Sequence, residues 1–333
     1  MAAHIMNNCP VKVNAFLGGE LRNYNSNFLL APESPYTVIE ADEFDRSFHH
    51  LRPYVAVITS TDPDHLDIYG TEEAYLESFA HFTSLVQPSG ALVIHTGLKL
   101  HPRPAEGVRV YSYSRDEGDF HAENICRGEG EIIFDFIYPG GRIDGISLGV
   151  PVEINIDNAI AALAACWLTG DMDPQAAREA IGSFMGAKRR FEFRLKEEGP
   201  GARVIIDDYA HHPDELRASI SSVKALYPSR KLTVVFQPHL YTRTRDFAPA
   251  FAEALSLADR VLLLDIYPAR ELPIPGVTSQ IIFDRITCPD KQMVGYNDLI
   301  KTIENTNFEV LLTAGAGDIS ALVPKIVEAV TRR

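Results

Sequence analysis

Short apolar runs alternate with helical patterns along most of the chain. Tyr36–Glu40 and Val55–Thr59 read as strands, Glu72–Val86 as an amphipathic helix and Ala91–His95 as a further strand. Such alternation predicts a mostly parallel sheet flanked by helices. From Val108 to Leu148 the pattern becomes strand-rich, with a glycine turn at Pro139-Gly140-Gly141, as in an antiparallel flap. Ile156–Leu168 and Pro174–Phe184 then read as helices. A second series runs strand Val204–Asp207, helix Pro213–Leu226, strand Leu232–Phe236, helix Thr244–Leu257 and strand Arg260–Asp265. Strand Glu309–Thr313 and helix Ile319–Val330 close it. That series makes a complete α/β domain, which predicts an α/β protein of two domains, 1–187 and 188–333.

A chain of 333 residues exceeds one ordinary domain. Its 46% hydrophobic and 23% charged residues suit globular cores. The longest apolar runs, Ala159–Leu168 among them, are far too short to span a bilayer, and no secretory signal pattern opens the chain. A cytoplasmic protein is expected. Cys9, Cys126, Cys166 and Cys288 are scattered without a CxxC, so neither a disulfide framework nor a zinc ribbon is expected.

The formal net charge of −14 disfavours nucleic acid and anionic membranes as partners. An anionic small molecule would have to meet locally concentrated cations. Lys188–Arg190 and Arg243–Arg245 provide them.

Open α/β sheets bind ligands beyond the carboxyl ends of their strands, and chemistry-bearing residues follow several strands. Glu40 ends one, and His65 follows another within Asp62-Pro-Asp-His65-Leu-Asp. If those strands are sheet neighbours, the carboxylate and imidazole share a crevice and could hold a divalent metal; otherwise they cap local turns. Asn155 and Asn158 lie at the start of a helix. Asn155 suits an N-cap, whereas Asn158 lies one turn in, where its amide could meet a purine edge.

Asp207-Asp208-Tyr209-Ala210-His211-His212-Pro213 follows a strand, with Pro213 suited to the first helical position. An anion or nucleotide site at that helix N-terminus, a metal cluster of two Asp and two His, and a purely structural turn all remain open. His239 and Arg243 follow the next strand, where arginines at a helix start suit carboxylate or phosphate capture, or simply a solvated basic end. Thr313-Ala-Gly-Ala-Gly317 is a glycine-rich strand–helix turn, often purely steric.

Taken in order, Glu40–Phe48, Asp64-His65-Leu-Asp67, Arg189-Arg190-Phe191, the Asp207–Pro213 run, Gln237-Pro-His239 with Thr242–Arg245, Tyr267-Pro-Ala269, Pro273–Gly276 and Ala314–Gly317 resemble the Mur ligases of cell-wall synthesis. The resemblance covers essentially the whole chain. It implies a P-loop-type central α/β domain followed by a Rossmann-like C-terminal α/β domain. It also implies a carboxylate–amine ligase using ATP and Mg²⁺, with UDP-N-acetylmuramate and L-alanine as partners. A substrate carboxylate would attack the γ-phosphate of ATP, and an amine would displace phosphate from the acyl phosphate.

By the same resemblance Glu40 and His65 hold Mg²⁺, Asn155 and Asn158 contact adenine, Arg190 the ATP phosphates and Asp208 the ribose. Tyr209, His211, His239 and Arg243 orient the muramoyl carboxylate and alanine.

Three departures stand out. No Gly-Lys dipeptide occurs, so GxxxxGK[ST] is absent, and Met1–Met6 reads as the tail of a helix. The chain is therefore expected to lack the first central strand and phosphate loop, and to be inactive by itself. Leu240 stands where many relatives have Arg. Ser60 and Ile154 differ from the Asn and His found in some relatives. Competing expectations are a murein-tripeptide recycling ligase, a metal-dependent hydrolase built on Asp207, Asp208, His211 and His212, and a non-catalytic nucleotide sensor.

Overall fold

The computed structural model describes residues 1–63, 66–128, 130–199 and 201–332, without the side chains of 66 and 67. It divides into two compact units, Met1–Arg127 with Glu131–Gly186, and Gly128–Gly130 with Ala187–Arg333.

In the first unit the order is α1 (Ala2–Asn8), β1 (Asn14–Leu21), β2 (Ser26–Leu29), β3 (Thr37–Ile39), β4 (Val55–Ile58), α2 (Leu66–Tyr69), α3 (Glu72–Ser84), β5 (Ala91–His95) and β6 (Arg109–Tyr113). Then come β7 (His121–Gly128), β8 (Glu131–Tyr138), β9 (Gly141–Ser147), α4 (Ile154–Trp167) and α5 (Pro174–Ser183). Strands β4, β5 and β6 form a parallel sheet, with Val55 opposite Ala91 and Ala91 opposite Arg109. Phe79 and Phe82 of α3 pack with Ala56 and Ile58 of β4 and with Leu92 of β5. Thr71 caps α3 by accepting the Ala74 amide, and two glutamates in the first turn favour its positive end. The expected flap is the sheet β7-β8-β9.

Two expectations change here. Strands β3 and β4 are not sheet neighbours, because β3 pairs in parallel with β1 in a sheet ordered β2-β1-β3. Nor is Asn155 an N-cap. Helix α4 begins at Ile154, Glu153 precedes it with helical φ/ψ, and Asn155 lies inside the first turn.

The second unit runs β10 (Glu192–Lys196), β11 (Val204–Asp208), α6 (Pro213–Leu226), β12 (Leu232–Phe236), α7 (Tyr241–Leu255), β13 (Arg260–Leu263), α8 (Gln280–Phe283), β14 (Asp290–Met293), α9 (Leu299–Glu304), β15 (Val310–Ala314) and α10 (Val323–Thr331). Its sheet is ordered β10-β11-β15-β12-β13-β14. Only β10 runs antiparallel among these pairings. Central strands β12 and β15 are buried at every position, as a sheet covered on both faces requires. Ile205, Val235, Leu262 and Leu311 pack with Ile319 and Ile326 in one core. The last predicted helix is broken, with a 3₁₀ turn at Asp318–Ala321 before α10.

The strand order matters for function. Because β15 inserts between β11 and β12, the segments following these three strands leave the sheet side by side at its carboxyl end, the usual ligand-binding edge of such sheets.

Candidate active site

At that edge of the second unit the structure gathers Tyr209, His211, His239 and Arg243, and adds Arg189 and Tyr267. The Arg189 guanidinium carbon lies 4.6 Å from the Tyr209 ring centre, and the Tyr209 and His211 rings are 5.0 Å apart. His211 and His239 are 6.2 Å apart, and His239 stacks on Tyr267 at 5.9 Å.

Local chemistry fixes each of them. Glu215, one turn into α6, accepts the backbone N–H groups of His211 at 2.9 Å and His212 at 3.1 Å. His212 Nδ1 in turn accepts the Asp214 amide at 3.4 Å. This is a capping box with a histidine in the usual serine position, so His212 serves the helix. Leu240 precedes α7 at φ +70°, and its carbonyl accepts both the amide and the hydroxyl of Thr244. Glu271 takes the amide and hydroxyl of Thr242 at 3.0 and 2.5 Å, which steadies the start of α7 beside Arg243. Gln237 bridges the end of β12 to the segment after β15, donating to Asp318 at 2.7 Å and accepting the Ile319 amide at 2.9 Å.

Three polar atoms of this cluster are buried without a partner among the described residues: Arg189 Nε, His239 Nδ1 and Arg243 Nη1. Buried polar groups are almost always satisfied. Orphans of this kind on two arginines and a histidine suit an anionic ligand. Burial, reinforced by Arg243 and His211, holds the His239 pKa below its ordinary value.

The two aspartates are engaged in the fold. Asp207 accepts the Thr313 hydroxyl at 2.7 Å, and Asp208 accepts the Ser219 hydroxyl and the Phe191 amide. Burial raises both carboxyl pKa values. A metal cluster of Asp207, Asp208, His211 and His212 is therefore not what the residues build; no metal-holding group of three or more His, Cys, Asp or Glu occurs among the described residues. Arg190 is exposed, its guanidinium carbon 5.9 Å from the Tyr209 ring centre.

In the first unit Glu40 follows β3 and accepts the Gly18 amide through Oε2 at 2.8 Å. His65 lies outside the described residues. Although β3 and β4 do not pair, the segments following them line one cavity of about 380 Å³, Ala41 and Glu43 from the first and Thr59, Ser60 and Asp62 from the second. An exposed carboxylate aimed by one backbone N–H fits Mg²⁺, which commonly takes one or two carboxylates and completes its shell with water and phosphate oxygens.

Asn155 donates to the Val150 carbonyl at 2.9 Å, and Asn158 donates to Asn155 Oδ1 at 3.0 Å, so the two amides form one chain. Beside them stand residues that sequence reading passed over. His95 and Tyr113 end neighbouring strands, and Arg115, Glu153 and Asp157 form ion pairs at the start of α4. Arg189 and Tyr267 were visible in the motifs, yet only packing shows Arg189 under the Tyr209 ring and Tyr267 under His239.

A family model described as the Mur ligase middle domain matches residues 21–166, and one described as the Mur ligase, glutamate ligase domain matches 189–325. A UDP-N-acetylmuramate–L-alanine ligase of Phocaeicola vulgatus is 55% identical, over 98% of this chain and 70% of its own length. One of Parabacteroides distasonis is 56% identical over the same shares. The crystal structure of a UDP-N-acetylmuramate-alanine ligase from Thermotoga maritima matches 99% of this chain and 72% of its own, with a TM-score of 0.80 at 26% identity. On this agreement of sequence and fold, the chain belongs to the Mur ligase family of ATP-dependent carboxylate–amine ligases.

Proposed function

We propose that this chain carries the nucleotide-binding and ligation residues of an enzyme joining L-alanine to the carboxylate of UDP-N-acetylmuramate, with ATP converted to ADP. The observation that carries the reading is the trio of partnerless buried polar atoms on Arg189, His239 and Arg243 around Tyr209 and His211. A muramoyl carboxylate becoming an acyl phosphate, and then a tetrahedral adduct, presents anionic oxygens at each stage. Donors fixed in advance stabilise that charge without reorganising.

Arg243 and Arg189 supply the cationic field, and Tyr209 and His211 hold the reacting carboxylate in place. His239, neutral at physiological pH, is suited to hydrogen-bond the incoming amine. Asn155 and Asn158 contact adenine and Arg190 the phosphates, while Asp208 reaches the ribose through lone pairs left free by its internal bonds. Glu40, with His65, would hold Mg²⁺, whose contribution is to neutralise the phosphate oxygens. In-line transfer then rests on positioning by these side chains.

The L-alanine-adding reading is preferred over tripeptide recycling because relatives 55% and 56% identical carry that name. The test is ADP formation by the ligase made at the full length of its relatives, with UDP-N-acetylmuramate and either L-alanine or murein tripeptide. L-alanine should support turnover, and Arg243→Ala should lower kcat/KM by about 100-fold or more, as for loss of a preorganised charge-stabilising donor. Turnover with tripeptide but not L-alanine would assign the recycling reaction instead.

A further inference from the structure

We propose that Arg115 and Asp157 are positioning residues for the nucleotide base: their ion pair sets the first turn of α4 and thereby aims the amide of Asn158. The inference rests on the reading that Asn155 and Asn158 take the base.

Helix α4 begins without a cap of its own. Glu153 stands at its N-cap in helical conformation and makes no capping hydrogen bond. What holds the turn comes from elsewhere. Arg115, just after β6, donates its backbone N–H to Asp157 Oδ1 at 2.8 Å. Its Nε and Nη2 both reach Asp157 Oδ2, at 2.8 and 2.5 Å. Its remaining terminal nitrogen, Nη1, donates to Glu153 Oε2 at 2.8 Å. Arg127 closes the far side of Glu153 with bonds of 2.5 and 3.0 Å. The two carboxylates that flank Asn155 along the first turn are thus each tied to arginine. Asp157 is 5% exposed, and His95 Nε2 approaches its Oδ1 at 3.6 Å.

A buried ion pair is weak evidence for stability, since desolvation offsets much of its attraction; its best-attested use is to fix register. Here the register has a visible recipient. Asn158 follows Asp157 directly and sits at the end of the amide chain running from the Val150 carbonyl through Asn155. With one N–H committed to Asn155, Asn158 keeps an oxygen and a second N–H. That donor–acceptor pair matches the N6/N7 edge of adenine and mismatches the O6/N7 edge of guanine. A rotation of the first turn would misdirect it, whatever the helix's stability.

The experiment uses the ligase at the full length of its relatives and compares ATP with GTP. Asp157→Asn and Arg115→Ala should each raise KM for ATP and lower the ATP/GTP ratio of kcat/KM by about tenfold, the discrimination one well-made bidentate base contact supplies. kcat, and KM for the amino acid, should stay within about threefold, well under one such contact. Arg115→Lys, which keeps the charge but not the fork, should still lose part of the preference; it also covers the case in which Arg115→Ala fails to fold. Asn158→Ala separates the two claims. If it erases the ATP preference while Asp157→Asn and Arg115→Lys leave it intact, the positioning role is refuted and the base site stands. If Asn158→Ala itself leaves the preference intact, the base-site reading falls and this inference with it. A drop in thermal stability with unchanged nucleotide preference would make the pair merely structural.

Discussion

His239 has two kinds of neighbour, and they pull its protonation in opposite directions. Burial, Arg243, His211 and Arg270 all favour the neutral ring, and Glu271 opposes them. The balance lowers the folded-state pKa below the ordinary value of about 6.5. Above that value both folded and unfolded rings are neutral, and the group costs no stability. As pH falls through it the unfolded chain takes up the proton first, so stability declines until the folded pKa is passed. An NMR titration of the His239 ring should therefore give a midpoint below about 6.5. Urea unfolding of His239→Gln should show a shallower loss of stability than the parent protein as pH falls through that window. A ring titrating at its ordinary value would refute the effect of burial, and one titrating above physiological pH would mean that the site holds an imidazolium, so the neutral partner proposed for the amine would be lost.

The same elements that aim these residues depend on close backbone approach. At Gly317, on the turn after β15, a Cβ would lie 2.7 Å from Tyr267 Cβ and 2.9 Å from Gln237 Cδ. Its φ of −83° is ordinary, so crowding alone demands glycine here. Gly317→Ala should cost about 1–3 kcal/mol, as overpacking does, and displace both the Tyr267 ring under His239 and the Gln237 bridge to Asp318. Gly170→Ala makes a useful comparison: its φ is +85°, and nothing lies within 4 Å of the position a Cβ would take. It should cost roughly 1–2 kcal/mol of backbone strain and leave ligation unchanged. Equal effects of the two on activity, followed with stability in urea, would remove the crowding argument.

How far such elements are legible in the sequence depends on where they lie in the sheets. Strands β11, β12, β13 and β15 announce themselves as continuous apolar runs because both faces are covered. Strands β10 and β14, at the two edges of the same sheet, carry charged and polar residues and were not read, as edge strands that avoid pairing tend not to be. In the first unit Gly18-Gly19 hides β1 from any pattern of alternation, so the sequence leaves open which strand β3 pairs with, and the structure pairs it with β1. The site followed the same rule. Residues directly after readable strands, such as Tyr209, His211 and His239, stand out as candidates from the sequence alone. The Arg115–Asp157 pair does not, because it joins residues 42 apart through a contact no local motif encodes.

At the scale of the chain the decisive quantity is where charge of each sign can be held. A net charge of −14 repels a nucleotide triphosphate as a whole, so tight binding must come from local donors. The second unit has them in Arg189, Arg190 and Arg243. The first offers amides and a carboxylate, which suit a base and a cation, and among its described residues these groups make no cradle for the phosphates. Elsewhere that cradle is a run of backbone N–H groups with a lysine reaching the β- and γ-phosphates, and these 333 residues contain no Gly-Lys dipeptide from which to build one. Calorimetric titration of Mg²⁺-ATP into the 333-residue polypeptide alone should therefore show no saturation at nucleotide concentrations below about 1 mM, where a binding free energy near −4 kcal/mol would be half-saturating. The ligase at the full length of its relatives should saturate well below that and then form ADP in the presence of UDP-N-acetylmuramate and L-alanine. Saturable binding with alanine-dependent phosphate release by the 333-residue polypeptide would instead place a working phosphate site among the residues described, and the arginines of the second unit would be the first to substitute in locating it.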